Sequence, residues 1–461
     1  MNAIILSALL GVVMMFSGII TKNKSAITKI AGVGLFLLLV ANLLNTYGAY
    51  VVYVDTHSLL NFEKFGLFFN SIAITATLVY VLLSGKEIEN VGVNTGEYYA
   101  LIFFVLCGVS ILSSFNGLLM LFLGIEIMSI PLYILTGADK RNLKSNEASL
   151  KYFLMGAFST GIMLMGIALV YGASGTFALG TSSIASSSGV VKTSFLEVAG
   201  LLLLFVSMCF KVSAAPFHFW TPDVYDGAPG VFTSFMATIV KAAGFIAFIR
   251  LFDTHTDILG PTWKILLAFV IIATLLIGNI TAVFQQSIKR MLAYSSIAQA
   301  GFMLFALYSN NDLAKEGILL YATAYSLATI GIFAILIKMK DYTFDGFNGL
   351  AKSQPVLAFA NTVFLLSLAG IPLTAGFFAK YYMLASVVKT GGSLWLVIVA
   401  VVFAAVSVYY YFRVIQAMYF KEGEPETTTI TIGFKTGLVL LAALIILLGI
   451  FPSIVLNWFY F

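Results

Sequence analysis

Charge is scarce in this chain. Asp, Glu, Lys and Arg make up 10% of its 461 residues and apolar side chains 60%, whereas soluble domains carry roughly 25% charged residues. A water-surrounded globule is excluded on that ground. Cysteine is scarcer still: Cys107 and Cys209 stand far apart, each inside an apolar run. Two such residues make neither a disulfide framework nor a metal knuckle nor an iron–sulfur ligand set. Both read as small packing residues. No glycine-rich phosphate loop occurs, and no run of Lys and Arg is long enough to suggest nucleic acid. If the chain serves a redox machine, the redox chemistry happens elsewhere.

Apolar runs of about 20 residues fill the chain instead, each long enough to cross about 30 Å of hydrocarbon as a helix. About fourteen are read, at 2–21, 30–54, 65–84, 97–113, 115–136, 147–172, 196–220, 229–251, 262–284, 291–309, 317–338, 355–388, 394–420 and 434–457. Ser295, Ser296 and Gln299 dilute the tenth, which is therefore expected inside the bundle. The first run has no basic residue before it, while Lys22, Lys24 and Lys29 follow it. A secretory signal has the reverse order, so this is a retained span. A transmembrane β-barrel is excluded, because its strands alternate over about 10 residues.

Orientation follows from Lys and Arg in the loops. The odd-numbered loops hold most of them: Lys22/Lys24/Lys29, Lys140/Arg141/Lys144, Lys289/Arg290 and Lys338/Lys340/Lys352. Both termini are expected to face away from the cytoplasm. The net charge of +5 reflects this bias.

Five ionisable side chains fall inside spans: Glu126, Lys151, Lys211, Lys241 and Lys380. Each costs about 2.5–3.5 kcal/mol on insertion scales. Lys151 is about one turn into its span and can also be read as snorkelling to the surface. Glu126 can be a structural ion-pair partner or half of a proton switch. His218, after Pro216, can be a satisfied residue of a helix break or part of a path. His57 and His255 lie in loops beside acids and are expected to be solvated, as are Asp223 and Asp226. Burial favours the neutral amine of a lysine, and a nearby carboxylate favours the ammonium. A lysine whose carboxylate neighbour comes and goes therefore takes up and releases a proton. Several in series make a relay.

Two prolines interrupt spans. Pro216 breaks the seventh in "FKVSAAPFHFW", and Pro372 breaks the twelfth in "LSLAGIPLTAGFFAKYY". The breaks are five spans apart, and a five-span repeat inserts its second copy upside down. Spans 4–8 and 9–13 thus read as an inverted pair, whose broken helices mark the transport site of ion carriers. The expected fold is an all-α polytopic membrane protein of about 14 transmembrane helices with two inverted five-helix repeats, each containing a broken helix. Its parts are N-terminal helices over 1–96, a first repeat over 97–253, a second over 262–422 and a terminal helix over 434–461. A break frees backbone groups and admits water at membrane depth, so the lysine, proline and histidine of "FKVSAAPFHFW" are expected to form one half-channel.

The stretches "GIEIMSIPLYIL", "EASLKYFLMGAFSTGIMLMGIALVYGASGT", "FKVSAAPFHFWTPDVYDGAPGVFTSFMATIVKAAGF", "QQSIKRMLAYSSIAQAGFM" and "GIPLTAGFFAKYYML" resemble the antiporter-like membrane subunits of respiratory complex I, and within them the subunit N family. The resemblance covers nearly the whole chain, and "KYFLMGAFSTGI" favours subunit N. It implies a proton relay of Glu126 on span 5, Lys211 on broken span 7, Lys241 on span 8 and Lys380 on broken span 12. Lys151 and His218 match positions the family uses as modulators. It further implies that FMN, iron–sulfur clusters and quinone belong to other subunits and that this chain holds no cofactor or metal. The partners would be other membrane and peripheral subunits, the bilayer and protons, in a bacterial inner membrane.

Two readings compete. One is a subunit of a multisubunit cation/proton antiporter or membrane-bound hydrogenase, which share the superfamily. The other is a non-pumping membrane scaffold, which has no need of charges near the midplane. No feature suggests the organic substrate site of an autonomous solute carrier.

Overall fold

A computed structural model of the chain describes residues 1–179, 194–253, 262–391 and 393–460, with the side chains of 458–460 left aside. Among these residues the chain is helical, with no β-strand beyond isolated bridges. His255 lies outside the described residues.

Thirteen helices are long and apolar enough to cross a membrane. In chain order the elements are α1 (Asn2–Ile20), α2 (Lys24–Thr46), α3 (Lys64–Val91), α4 (Thr95–Leu112), α5 (Leu118–Thr136), α6 (Leu143–Ser174) and α7 (Phe195–Val212). A short α8 (Trp220–Gly227) follows, then α9 (Gly230–Asp253), α10 (Thr262–Val283), α11 (Ile288–Ser309) and α12 (Asp312–Leu336). Two half-length helices, α13 (Pro355–Ala369) and α14 (Ala375–Lys389), make the twelfth crossing. The chain continues through α15 (Leu394–Phe420), α16 (Ile432–Ile450) and α17 (Ser453–Tyr460).

The reading of spans holds with three corrections. The second span is α2, which ends at Thr46; residues 49–54 are not helical. Gly48 turns the chain at φ +67°, a conformation only glycine adopts without strain, and the β-branched "YVVYV" beyond it has poor helix propensity. The seventh span ends at Val212, and its continuation is α8, not a loop: Asp223 and Asp226 sit on that helix. The third span runs on to Val91, carrying Glu87 and Glu89 beyond the apolar stretch.

Burial sorts the helices. α9, α11 and α12 are almost wholly enclosed, so the tenth span, α11, is an interior helix as its serines and glutamine foretold. α1, α2 and α15 form the periphery and present large apolar side chains outward, such as Ile19, Ile20 and Val402. In a bilayer that is the expected state of a helix facing lipid or a neighbour. Cys107 and Cys209 are free and buried, as packing residues should be.

The odd-numbered loops meet at one end of the bundle. Lys24 donates to the carbonyls of Glu89 and Gly92, both at 2.6 Å, and Lys338 pairs with Glu87. Arg290 reaches Asp223 at 3.2 Å and Lys340 reaches Glu426 at 2.9 Å. At the opposite end Arg250 donates to the carbonyl of Phe115 at 3.0 Å, and Lys315 pairs with Asp253 at 2.9 Å.

Candidate functional site

Both broken crossings stop in the same way. α7 ends at Ser213 with φ +64°, and α13 ends at Gly370 with φ +84°. In each, the next amide reaches back to a carbonyl of the last turn: Ala214 to Cys209 at 2.8 Å, Ile371 to Leu366 at 3.0 Å. This left-handed helix stop satisfies two of the final carbonyls and leaves the others free. Pro216 and Pro372 follow within three residues and keep the helix from resuming. The freed groups then need partners from elsewhere.

Side chains supply them. At the first break, the indole of Trp220 donates to the carbonyl of Phe210 at 2.9 Å, and the Ala215 amide donates to the Thr274 hydroxyl at 2.9 Å. At the second, Lys380 folds back from α14 and donates to the carbonyls of Leu368 and Ala369, both at 2.9 Å. Gln299 of α11 donates to that same Leu368 carbonyl at 2.9 Å. The lysine thus sits at the C-terminal pole of α13, where the helix dipole favours a cation. Its Nζ also stands 4.8 Å from the centroid of the Phe302 ring, within cation–π range. A buried lysine is held here with no ion-pair partner among the described residues.

Lys241 is treated similarly. One π-helical turn, Met236–Val240, directly precedes it on α9. Such turns widen a helix locally and recur at functional sites. The side chain is 2% exposed, and its Nζ donates to the carbonyl and hydroxyl of Ser296 at 2.8 and 2.7 Å. Beyond Ser296 the polar groups continue along α11. Ser295 bonds to Tyr411, and Gln299 bonds to Tyr411 and Tyr321. Lys241 thus bonds to α11 at Ser296, and Lys380 shares the Leu368 carbonyl with Gln299, three residues further along the same helix.

Glu126 and Lys211 lie in the first half and are not in contact. The carboxylate of Glu126 accepts from the Thr160 hydroxyl at 2.8 Å, while Lys211 donates to the Ser129 hydroxyl at 3.1 Å. Ser129 stands one turn beyond Glu126 on α5, so the two charges flank the same turn. Both residues are half-buried, on a flank of the bundle. The two charges do not pair in this conformation.

Of the two readings of Lys151, the surface one holds. Its side chain is 41% exposed and lies between Glu147 at 2.8 Å and Asp223 at 2.9 Å. It borders a charged depression of about 270 Å³ with Lys144, Asp226 and Arg290, so it is a surface residue and not a buried one. Asp223 bridges Lys151 and Arg290, where free solvation had been expected. His218 is 4% exposed, and its Nδ1 has no partner among the described residues. His57 is solvated, as expected, 3.4 Å from Asp55.

Several residues went unread in the sequence. Lys289 appeared as a loop residue but is 4% exposed, and donates to the carbonyls of Asp226 and Ala228 at 2.8 and 2.6 Å. It therefore caps α8 from α11. Ser296 and Gln299 were seen only as polar dilution of a span. Their spacing, three apart on one helix face, was the available signal.

Comparison with known proteins agrees with the membrane-helical fold. The NADH:quinone oxidoreductase/Mrp antiporter transmembrane family matches residues 116–407. The chain is 41% identical to NADH-quinone oxidoreductase subunit N of Cytophaga hutchinsonii, over 99% of each chain. It is 38% identical to the subunit N of Flavobacterium psychrophilum, over 99% of this chain and 100% of that one. Among solved structures, a chain of respiratory complex I from Thermus thermophilus with bound aureothin superposes with a TM-score of 0.85, at 32% identity, over 99% of this chain and 98% of that one. A chain of an archaeal membrane-bound sulfane sulfur reductase shares the fold, with a TM-score of 0.88 at 24% identity, over 100% of this chain and 96% of that one. The chain belongs to the NADH-quinone oxidoreductase subunit N family, the antiporter-like membrane subunits of respiratory complex I.

Proposed function

We propose that this chain translocates protons as a non-redox subunit of the membrane arm, through a relay of Glu126, Lys211, Lys241 and Lys380. The observation that carries the reading is the treatment of Lys241 and Lys380. Both are buried lysines whose hydrogen bonds among the described residues go to a neutral hydroxyl and to carbonyls. A scaffold gains nothing from two charges at a cost of several kcal/mol each. A relay needs sites that hold a proton without locking it into an ion pair.

In this reading the first half-channel lies at the Pro216 break with His218, and the second lies at the Pro372 break. Lys151 modulates the first from its edge. The matching helix stops at Ser213 and Gly370 support two inverted repeats, 97–253 and 262–422, flanked by helices over 1–96 and 434–461. The loop charges support both termini facing away from the cytoplasm of a bacterial inner membrane. Electrons pass from NADH through FMN and iron–sulfur clusters to quinone in other subunits, and this chain holds none of those groups. A cation/proton antiporter or hydrogenase subunit is disfavoured by the subunit N relatives. The test is proton pumping by the intact complex bearing Lys241→Ala, described at the end of the Discussion.

A further inference from the structure

The polar face of α11 runs from Ser296, which bonds Lys241, to Gln299, which shares a carbonyl with Lys380, but its hydrogen bonds alone do not conduct a proton. Lys380 donates to the carbonyls of Leu368 and Ala369, and Gln299 donates to the former. A carbonyl oxygen only accepts. A chain of bonds that ends on carbonyls is closed to transfer. Passage needs groups that accept and donate together, namely hydroxyls or water.

Tyr325 of α12 stands where such a group is required. It is 3% exposed. On one side its hydroxyl lies beside the hydroxyls of Ser296, which holds Lys241, and of Thr329. On the other side it lines a cavity of about 10 Å³ together with Gln299, Tyr321, Ser367 and Lys380. Thr329, one turn further, is also 3% exposed. The cavity has about the room one water centre requires, and its polar lining offers the two to four partners a buried water needs.

We propose that Tyr325 is the proton-carrying link between Lys241 and Lys380, working with one water in that cavity and with Thr329 orienting its hydroxyl. The inference rests on the lysine relay proposed above. The Lys241 ammonium gives a proton to the Ser296 oxygen, and Ser296 passes its own hydroxyl proton to the Tyr325 oxygen. Tyr325 passes its phenolic proton to the water, and the water gives one to the neutral amine of Lys380. Each oxygen gains one proton and loses one. The net change is a neutral Lys241 and a charged Lys380, and rotation of the hydroxyls resets the path.

The test compares Tyr325→Phe with Lys241→Ala in the intact complex, in sealed membrane vesicles, by protons moved per NADH oxidised with quinone as acceptor. Phenylalanine keeps the ring and removes only the hydroxyl. The expected result is pumping lowered to the Lys241→Ala level, with normal subunit content and normal NADH oxidation by an artificial acceptor. Normal pumping in Tyr325→Phe with pumping lost in Lys241→Ala would overturn the link and leave the relay standing. Normal pumping in both would overturn the relay and the link with it. Should Tyr325→Phe fail to assemble, Thr329→Val and Thr329→Ser decide: loss in the first with retention in the second supports the link, and normal pumping in Thr329→Val overturns it.

Discussion

Lys241 on α9 gives two hydrogen bonds to one residue, Ser296 on α11: 2.8 Å to its carbonyl and 2.7 Å to its hydroxyl. The carbonyl can only hold the charge, whereas the hydroxyl can also pass a proton on. The two roles separate by mutation. Ser296→Ala keeps the carbonyl and removes the hydroxyl, while Ser296→Thr keeps both. Hydrogen bonds to charged groups contribute about 1.5–3 kcal/mol, a loss of roughly tenfold or more in a step that depends on one. Pumping by membranes carrying Ser296→Ala should fall, and Ser296→Thr should retain most of it. Equal pumping in both would make the hydroxyl irrelevant.

Glu126 and Lys211 bond to Thr160 and Ser129 and not to each other. An open pair can act as a switch only if its charges feel one another across the gap. Glu126→Gln keeps an acceptor for Thr160 and removes the charge. The complex should assemble and pump at a clearly reduced rate. Undiminished pumping in Glu126→Gln membranes would exclude a required role for the carboxylate.

Lys289 is a structural counterpart to the relay lysines. Its two short bonds hold the carbonyls at the end of α8, and Lys289→Met would leave those acceptors buried without a cation. The cost should be about 1–3 kcal/mol, that of one unsatisfied acceptor, because the Ala228 carbonyl keeps the Thr233 hydroxyl at 3.5 Å. It should appear as earlier thermal inactivation of the solubilised complex. Lys352, 74% exposed and paired with Glu422 at 3.6 Å, serves as the control, and Lys352→Met should change nothing. Equal heat stability of the two variants would show that α8 needs no clamp.

How much of this was legible beforehand depended on whether a signal was local. Pro216 and Pro372 act on their own helices, so the two breaks could be placed from sequence. Lys241 and Lys380 could be found because a charge inside an apolar run is conspicuous by itself. Lys289 could not, because it stands at a helix start among loop charges, and only the packing of α11 on α8 buries it. For Lys151 burial and snorkelling both stayed open in the sequence: Glu147, one turn earlier, and Asp223, on a helix read as a loop, draw it to the surface. The uncharged bridge of Ser296, Gln299 and Tyr325 was hidden because hydroxyls and amides are unremarkable until their partners, 55 or more residues away in the case of Lys241, are brought alongside.

The central claim is that Lys241 carries a proton, and pumping by the Lys241→Ala complex tests it most directly. Moving one charge against about 150 mV costs roughly 3.5 kcal/mol, so the step needs a site whose surroundings change with its charge. Lys241, bonded to neutral Ser296 alone, is such a site. Alanine removes the amine and leaves a residue that helix α9 tolerates. The measurement is lumen acidification by sealed vesicles on addition of NADH, with quinone reduction followed in the same sample. The account predicts lost quinone-linked pumping, with assembly and NADH oxidation by an artificial acceptor both preserved. Acidification at the normal rate with normal quinone reduction would contradict it and make the central lysine a structural residue.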